Sequence, residues 1–194
     1  MSTPRILLLA GSSRQGALSL RLRDAAAHAV QAAGAQAETL DLRALDLPLY
    51  DGDLEAREGV PPGALQFCEA LARSDGVIFV TPEYNAFPTP LTLNAWDWLS
   101  RVPAAADRPA GTATTAGKPL ALLSTSPGAL GGLRALTLMR QFLGTNFQML
   151  VLPQQMAVSK AHEAFDDSGA LKDARQQQTL QQIVQGLLRL SRPD

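Results

Sequence analysis

Short, continuously apolar segments alternate with longer segments of helical periodicity along this chain, and this alternation restricts the fold more than any other feature. The run ILLLA, just before the first glycine, is too short for a helix and has no polar face, which is typical of a strand buried on both sides. Such runs, with an alternating one at 36–41, predict strands over 5–10, 36–41, 76–80, 118–125 and 148–152. Helical spacing predicts helices over 18–33, 63–74, 91–100, 132–142 and 173–190.

Strands that alternate with helices form a parallel sheet with right-handed crossovers and helices on both faces. Five such strands fit a three-layer, flavodoxin-like α/β fold, whose five-stranded parallel sheet has the order 2-1-3-4-5. The chain length suits one such domain over residues 1–194. Ligands of this fold bind beyond the carboxyl ends of the strands. Three unusual loops, at 11–16, 81–89 and 124–132, leave those ends and predict a binding site there.

The composition argues against several functional classes. A formal net charge of −1 lacks the basic excess of nucleic-acid-binding proteins. The one cysteine, Cys68, permits no internal disulfide or CxxC metal site, and we expect it to be a small buried residue. No apolar run is long enough for a membrane span or a signal peptide, so we expect a cytoplasmic protein that does not enter a membrane. We recognise no Ser-His-Asp set and no metal-ligand cluster, and expect no metal.

The loop GSSRQG, at 11–16, precedes a predicted helix, so exposed N–H groups and the positive end of the helix dipole face any ligand there. Ser12, Ser13 and Ser19 offer hydroxyl donors, and Arg14 offers a guanidinium suited to phosphate oxygens. The glycine spacing is not the GxxxxGK[ST] of nucleotide triphosphatases, and it is not the GxGxxG of dinucleotide-binding loops. An ordinary Ser/Gly turn with an exposed arginine is equally consistent with this loop alone.

The two other loops have complementary chemistry. In TPEYNAFP, at 81–88, Tyr84 and Phe87 offer flat apolar surfaces and prolines leave backbone groups available, although the aromatic residues of such a turn can also belong to the core. STSPGALGG, at 124–132, permits close backbone approach and precedes a second helix with a free N-terminus near Gly132, but it also fits an ordinary connection. Together the loops predict a ligand with a phosphate at one end and a flat heterocycle at the other, such as FMN.

Taken in order, these segments resemble the NADPH-dependent FMN reductase family of flavodoxin-like proteins, which includes bacterial quinone, azo-dye and chromate reductases. GSSRQG resembles the family's GSxRxGS phosphate loop, TPEYN contains its PEYN motif, and NAWDW matches the following NAxDW. SPGALGG with Arg140 and Gln141 is similar to the SPGxxGG…RQ segment, and FDDSGALKD to a late FDxxGxLxD stretch. The resemblance covers nearly the whole chain, and PEYN with NAxDW is its specific part.

The resemblance implies a cofactor site for FMN. Its phosphate would bind in the first loop, its ring would be bordered by the PEYN segment, and the third loop would complete the pocket. The implied cofactor-binding residues are Ser12, Arg14, Ser19, Leu20, Pro82, Glu83, Tyr84, Asn85, Ser126, Pro127 and Gly128. The chain departs from the family pattern at Ala17, where serine is usual, at Ser19, where asparagine is frequent, and at Leu93, where lysine is frequent.

The resemblance also implies an activity. Hydride would pass from NADPH or NADH to the flavin, and then in ping-pong order to a quinone-, azo- or metal-type small-molecule acceptor or to free flavin. The flavin carries this chemistry, so no catalytic side chain is expected. One alternative is a flavodoxin-like electron carrier, which the near-neutral charge disfavours because such carriers are strongly acidic. Another is a regulatory protein that has lost its flavin, which Ala17 would permit.

The helix predicted at 91–100 carries more large apolar residues than one buried stripe needs, and these are Leu91, Leu93, Trp96, Trp98 and Leu99. A second buried face predicts a homodimer or homotetramer in which a partner borders the site. Because the two tryptophans are two residues apart, we expect one indole in the core and the other outward at the interface; the alternative places both in the core.

Two connecting segments have no clear periodicity. The segment 102–117 has little side-chain bulk and predicts a mobile loop, and the segment 42–61 predicts an irregular connection.

Overall fold

Five parallel strands form a single sheet in the computed structural model, which describes residues 2–191. The ends of the predicted domain 1–194, Met1 and 192–194, lie outside the described residues. The sheet order is β2-β1-β3-β4-β5, as predicted. The strands are β1 Arg5–Ala10, β2 Gln36–Asp41, β3 Gly76–Thr81, β4 Pro119–Thr125 and β5 Leu150–Val158.

Helices cover both faces of the sheet because the strand residues alternate between two buried clusters. Ile6, Leu8 and Ala10 point into one cluster, with the first and last helices, whereas Leu7 and Leu9 point into the other. All the interior residues of β1 and β3 are buried, which explains their continuous apolar sequence. The helices are α1 Leu18–Ala32, α2 Gly52–Glu58, α3 Pro62–Ala72, α4 Pro90–Arg101, α5 Leu133–Asn146 and α6 Ala174–Leu190.

The strand order reverses direction between β1 and β3, so the loops that follow these two strands diverge to opposite faces of the sheet. The two strands pair directly, with Ala10 opposite Val80. The pairing continues for one residue into the first loop, where Gly11 N–H donates to the Val80 carbonyl at 3.1 Å. The predicted binding edge of the sheet therefore forms a crevice between these loops.

Helix α2 was not predicted, and 42–61 is therefore not wholly irregular. Asp51 caps the helix, because its carboxylate accepts the N–H of Asp53 at 2.8 Å. None of the residues of α2 is buried, so its sequence has no apolar stripe by which it could be recognised.

The segment 102–117, which the sequence predicted as a mobile loop, is not wholly irregular. It contains a 3₁₀ helix at Gly111–Thr114 that packs against α3 and α4. Gly111 sits so close to α4 that a Cβ there would lie 1.9 Å from the Leu99 carbonyl oxygen. The Cys68 thiol, buried as predicted, lies 3.7 Å from the Pro109 carbonyl oxygen. Small residues therefore allow this part of the segment to pack closely against α3 and α4.

Both tryptophans of α4 are fully buried, so the expectation of one outward indole was wrong. Trp96 lies against Phe67 and Phe147 in edge-to-face geometry. Trp98 faces the connection before α2, where its indole N–H donates to the Pro48 carbonyl at 2.7 Å. The 42–61 segment thus covers the side of α4 that we had expected to be free for a partner.

Strand β5 is longer than the predicted 148–152, because it continues to Val158 through Pro153 and two glutamines. It is an edge strand, where polar residues and a proline are tolerated. Its pairing with β4 is irregular between Leu120 and Leu122, so that the bulge accommodates the proline. Within residues 2–191, no helix has the length and apolar character needed to cross a membrane.

Candidate flavin site

Three loops at the carboxyl edge of the sheet border a cleft of about 160 Å³ that is open to solvent. They follow β1, β3 and β4, as the sequence predicted. The cleft is lined by Ser12, Arg14, Ala17, Leu18, Ser19, Pro82, Glu83, Tyr84, Thr125, Ser126 and Pro127.

Helix α1 begins at the cleft without a side-chain cap. Its N-cap residue is Ala17, which is extended and has no hydroxyl or carboxylate to accept a first-turn N–H. No acidic residue lies in the first turn to offset the positive end of the dipole. The neighbouring Ser19 hydroxyl is buried, lines the cleft and has no hydrogen-bond partner in the described residues. A buried donor without a partner is unfavourable, so this end of the cleft fits an anion.

The first loop is folded around its own polar groups. The Ser12 hydroxyl accepts the Arg14 N–H at 3.2 Å, which leaves its proton free to donate to a ligand. The loop is also held from outside, because the Arg43 guanidinium donates to the Ser13 carbonyl at 3.0 Å. Sequence reasoning missed Arg43, although it follows β2, whose carboxyl end lies at the same edge of the sheet. Its position after that strand end was the available signal.

The second loop contains a tight turn in which Tyr84 and Phe87 exchange backbone hydrogen bonds of 3.0 and 2.9 Å. The two residues between them, Asn85 and Ala86, have φ of 52° and 66°, the left-handed pair of a type I′ turn. The side chains of Tyr84 and Phe87 are about half exposed, so they do not belong to the core. Tyr84 lines both the cleft and a neighbouring groove, whereas Asn85 lines only the groove.

Glu83 does not offer a free carboxylate to the cleft. One of its oxygens accepts the N–H groups of Arg134 and Ala135, each at 3.1 Å, at the start of α5. The other accepts Nε of Arg134 at 3.0 Å. Burial alone would raise the pKa of Glu83, but these bonds outweigh it and hold the pKa below its ordinary value. The prediction of a second free helix N-terminus near Gly132 was therefore wrong, because Glu83 occupies it.

A second contact links the loop after β3 to the loop after β1. The Thr89 hydroxyl donates to the Gly11 carbonyl and also contacts the Thr92 hydroxyl at 2.9 Å. A Cβ at Gly11 would lie 2.1 Å from the Thr92 hydroxyl oxygen, so this approach depends on glycine. Thr89 thus links the second loop to the first, and Glu83 links it to the start of α5, which follows the third loop.

Eight of the eleven residues proposed from sequence meet in the cleft, and three do not. The Leu20 side chain packs against the cluster under α1, and its N–H donates to the Ala17 carbonyl at 3.0 Å. Asn85 lies beyond the turn, as described above. Gly128 lies at the rim of the third loop, where its N–H donates to the Ser126 hydroxyl at 3.0 Å. Ala17, Leu18 and Thr125 line the cleft although they were not among the eleven.

The sequence matches the family model described as NADPH-dependent FMN reductase over residues 4–163. It is also 34% identical to an NAD(P)H-dependent FMN reductase of Pseudomonas aeruginosa over 184 residues, which are 94% of this chain and 92% of that protein. The chain belongs to the NADPH-dependent FMN reductase family. Membership confirms the predicted family and enzyme class, and it implies FMN and NAD(P)H as the cofactors.

Two further relatives agree with this family. A quinone reductase of Pseudomonas putida is 41% identical over 128 residues, 66% of this chain and 64% of the relative. This match thus covers slightly less than two thirds of the relative's length. FerB of Paracoccus denitrificans, a flavoenzyme NAD(P)H:(acceptor) oxidoreductase, has a similar solved structure, with a TM-score of 0.80, 26% identity and 97% of both chains covered. The likeness confirms the predicted fold class.

The residues that line the cleft of this protein fit FMN. The uncapped start of α1 and the unpartnered Ser19 hydroxyl suit a phosphate, and Arg14 adds a positive charge beside them. The half-exposed Tyr84 also lines the cleft and has a flat apolar ring. A cleft with both anion-binding groups and an aromatic residue suits the phosphate and the ring of the cofactor.

Replacing Ala17 with serine is expected to stabilise the protein and to tighten FMN binding. A hydroxyl at the N-cap can accept a first-turn N–H and still donate its proton to a phosphate. Capping contributes about 1 kcal/mol, which raises the melting temperature by roughly 2–4 °C. The extra neutral hydrogen bond tightens FMN by about two- to tenfold. Calorimetric titration and thermal unfolding of both proteins measure the two effects. Equal or weaker FMN binding would contradict a phosphate at this position.

Proposed function

We propose that this protein is an NAD(P)H-dependent, FMN-containing oxidoreductase that passes hydride from NAD(P)H through the flavin to a quinone-type acceptor. The observation that carries the proposal is the cleft itself, which is lined by a buried Ser19 hydroxyl without a partner, by the uncapped start of α1 and by Tyr84. The name of the Pseudomonas putida relative, quinone reductase, supports the acceptor class. Azo compounds, oxidised metal species and free flavin are further proposed acceptors.

Bound FMN would accept and donate hydride, so the protein's contribution is to bind and orient the reactants. Ser12, Arg14 and Ser19 would hold the phosphate end. Pro82 and Tyr84 would border the ring, and Ser126 with Pro127 would close the other side of the cleft. Glu83 is already paired with Arg134 and the start of α5, so it supports the loop and is not assigned to proton transfer.

The experiment that tests this function has two steps. Purified protein is first titrated with FMN, and we expect saturable quenching of flavin fluorescence with a shift in the visible absorbance. The loaded protein is then assayed for steady-state oxidation of NADPH or NADH with a benzoquinone, followed by azo, chromate and free-flavin acceptors. No saturable FMN binding would favour the flavin-free regulatory alternative. FMN binding without NAD(P)H oxidation would favour an electron carrier. Either result would overturn the proposal.

We also propose that two copies associate through the surface around the Tyr84–Phe87 turn. Leu49 is 80% exposed, Tyr84 46% and Phe87 50%, and these residues line one groove with Leu93 of α4. A cluster of exposed apolar residues at the edge of a site suits a symmetric contact. A second subunit here would border the cleft, because Tyr84 belongs to both the groove and the cleft. Pairing of two such dimers would give the homotetramer.

Light scattering after size exclusion is therefore expected to show at least twice the 20.6 kDa chain mass. Phe87→Ser should shift the protein toward monomer, because it removes apolar area from the contact. Leu190→Ser is the matched control, since Leu190 is also 50% exposed but lies at the end of α6. A wild-type monomer at micromolar concentration with full quinone reductase activity would contradict the shared interface.

A further inference from the structure

Helix α5 starts in a way that prevents it from capping itself. Gly131 and Gly132 precede it with φ of 60° and 85°, both left-handed. A Cβ at Gly131 would lie 2.7 Å from the backbone nitrogen of Ser159, so a larger residue does not fit there. The N-cap, Gly132, has no side chain with which to accept the first N–H groups. These groups need an acceptor from another part of the chain.

Glu83 supplies that acceptor from a loop 51 residues earlier. Its side chain is only 7% exposed, and its two oxygens receive the two α5 N–H groups and the Arg134 guanidinium. The Arg134 side chain is 57% exposed, so it covers the carboxylate from the solvent side without being part of the core. We call the contact between Glu83 and the residues Arg134 and Ala135 the loop latch.

Glu83, the acceptor of the loop latch, lies within a chain segment that lines the cleft. The residues on either side of Glu83, Pro82 and Tyr84, both line the cleft, so any movement of the Glu83 backbone moves them. The turn that follows is strained, since Ala86 is left-handed without being glycine. A strained turn keeps its conformation only where its surroundings hold it. Thr89 holds its far end through Gly11, and the loop latch holds its near end.

We propose that Arg134 is a positioning residue of the flavin cleft, acting through Glu83 to hold Pro82 and Tyr84 in the orientation that the flavin ring requires. The proposal rests on the proposed function in one respect, that the ligand of the cleft is FMN. Arg134 does not line the cleft, and its guanidinium is directed at Glu83. Its effect on the ligand therefore depends on the presence of the Glu83 carboxylate.

The first test compares Arg134→Gln with Arg73→Gln. The control residue, Arg73, also donates hydrogen bonds from its guanidinium to a carboxylate, that of Glu38. Its side chain is 44% exposed, but it lies at the opposite end of the sheet. We expect Arg134→Gln to weaken FMN roughly two- to fivefold in a fluorescence titration. It should also change the visible circular dichroism of FMN at saturation, and accelerate hydrogen exchange of the Phe87 amide in protein without added FMN. Arg73→Gln should leave all three unchanged.

The second test repeats the Arg134→Gln change in a Glu83→Gln background. If Arg134 acts through Glu83, the second substitution adds no further loss of FMN affinity. If Glu83→Gln does not fold, Glu83→Asp replaces it, because its shorter side chain cannot reach all its partners. A persistent loss in the double variant would overturn the proposal in favour of direct contact with the ligand. Unchanged FMN affinity and Phe87 exchange in Arg134→Gln would also overturn it. Failure of the wild-type protein to bind FMN would instead refute the proposed function, and the exchange of the Phe87 amide would still test the latch.

Discussion

Arg14→Ala is expected to weaken FMN binding by about ten- to a hundredfold. Arg14 lines the cleft beside the uncapped start of α1, where it is the cleft's one arginine. A charge-assisted hydrogen bond contributes about 1.5–3 kcal/mol, and each 1.4 kcal/mol corresponds to a factor of ten in affinity. Fluorescence titration measures the dissociation constant. Raising the salt concentration should weaken FMN binding more in the wild-type protein than in the variant, because screening acts on the charge that the variant lacks.

The control for this variant is Arg57→Ala, which removes the same charge from α2, where the arginine side chain is 63% exposed. It should leave FMN affinity unchanged. Arg14→Lys separates charge from geometry, because lysine keeps the charge and lacks the planar fork. We expect it to bind FMN with intermediate affinity. Wild-type affinity in Arg14→Ala would show that the phosphate does not lie in the first loop.

Gly131→Ala is expected to lower the melting temperature by roughly 10 °C and to abolish measurable FMN retention. A left-handed alanine costs about 1–2 kcal/mol, and overpacking against fixed atoms costs about 1–3 kcal/mol. At Gly131 those atoms are backbone, including the Val158 carbonyl carbon at 2.7 Å, so they cannot move aside like a flexible side chain. Relief of the clash would shift the third loop and the start of α5 away from Glu83. Thermal unfolding and FMN titration measure both effects.

Gly128→Ala is the matched control in the same loop. Its φ is not left-handed, and a Cβ there would meet only the Ser126 hydroxyl oxygen, at 3.4 Å. Its melting temperature should therefore remain within a few degrees of the wild type, or rise slightly because alanine restricts the unfolded chain. If Gly131→Ala unfolds at the same temperature as Gly128→Ala, the close approach of the third loop to β5 is not rigid.

The sequence by itself determined the strand order and the edge of the sheet where the cleft lies. These features follow from local patterns. Continuous apolar runs mark strands buried on both faces, and helical spacing between them leaves few parallel topologies. The three unusual loops were recognisable because each follows a predicted strand, and eight of the eleven residues that the family resemblance implied line one cleft. Helix α2 was missed because it has no buried apolar stripe, and the end of β5 was missed because the strand continues through Pro153 and two glutamines.

The tertiary structure decided which polar groups remain available to a ligand. Two helix starts looked equivalent in sequence, but Glu83 caps α5 from 51 residues away, whereas α1 remains uncapped beside the unpartnered Ser19 hydroxyl. It also decided that Trp98 is covered by the connection before α2. The physical reason is the same in both cases. A hydrogen bond or a buried contact between distant segments depends on how the folded chain brings them together, and neither periodicity nor spacing in one segment records its partner in another.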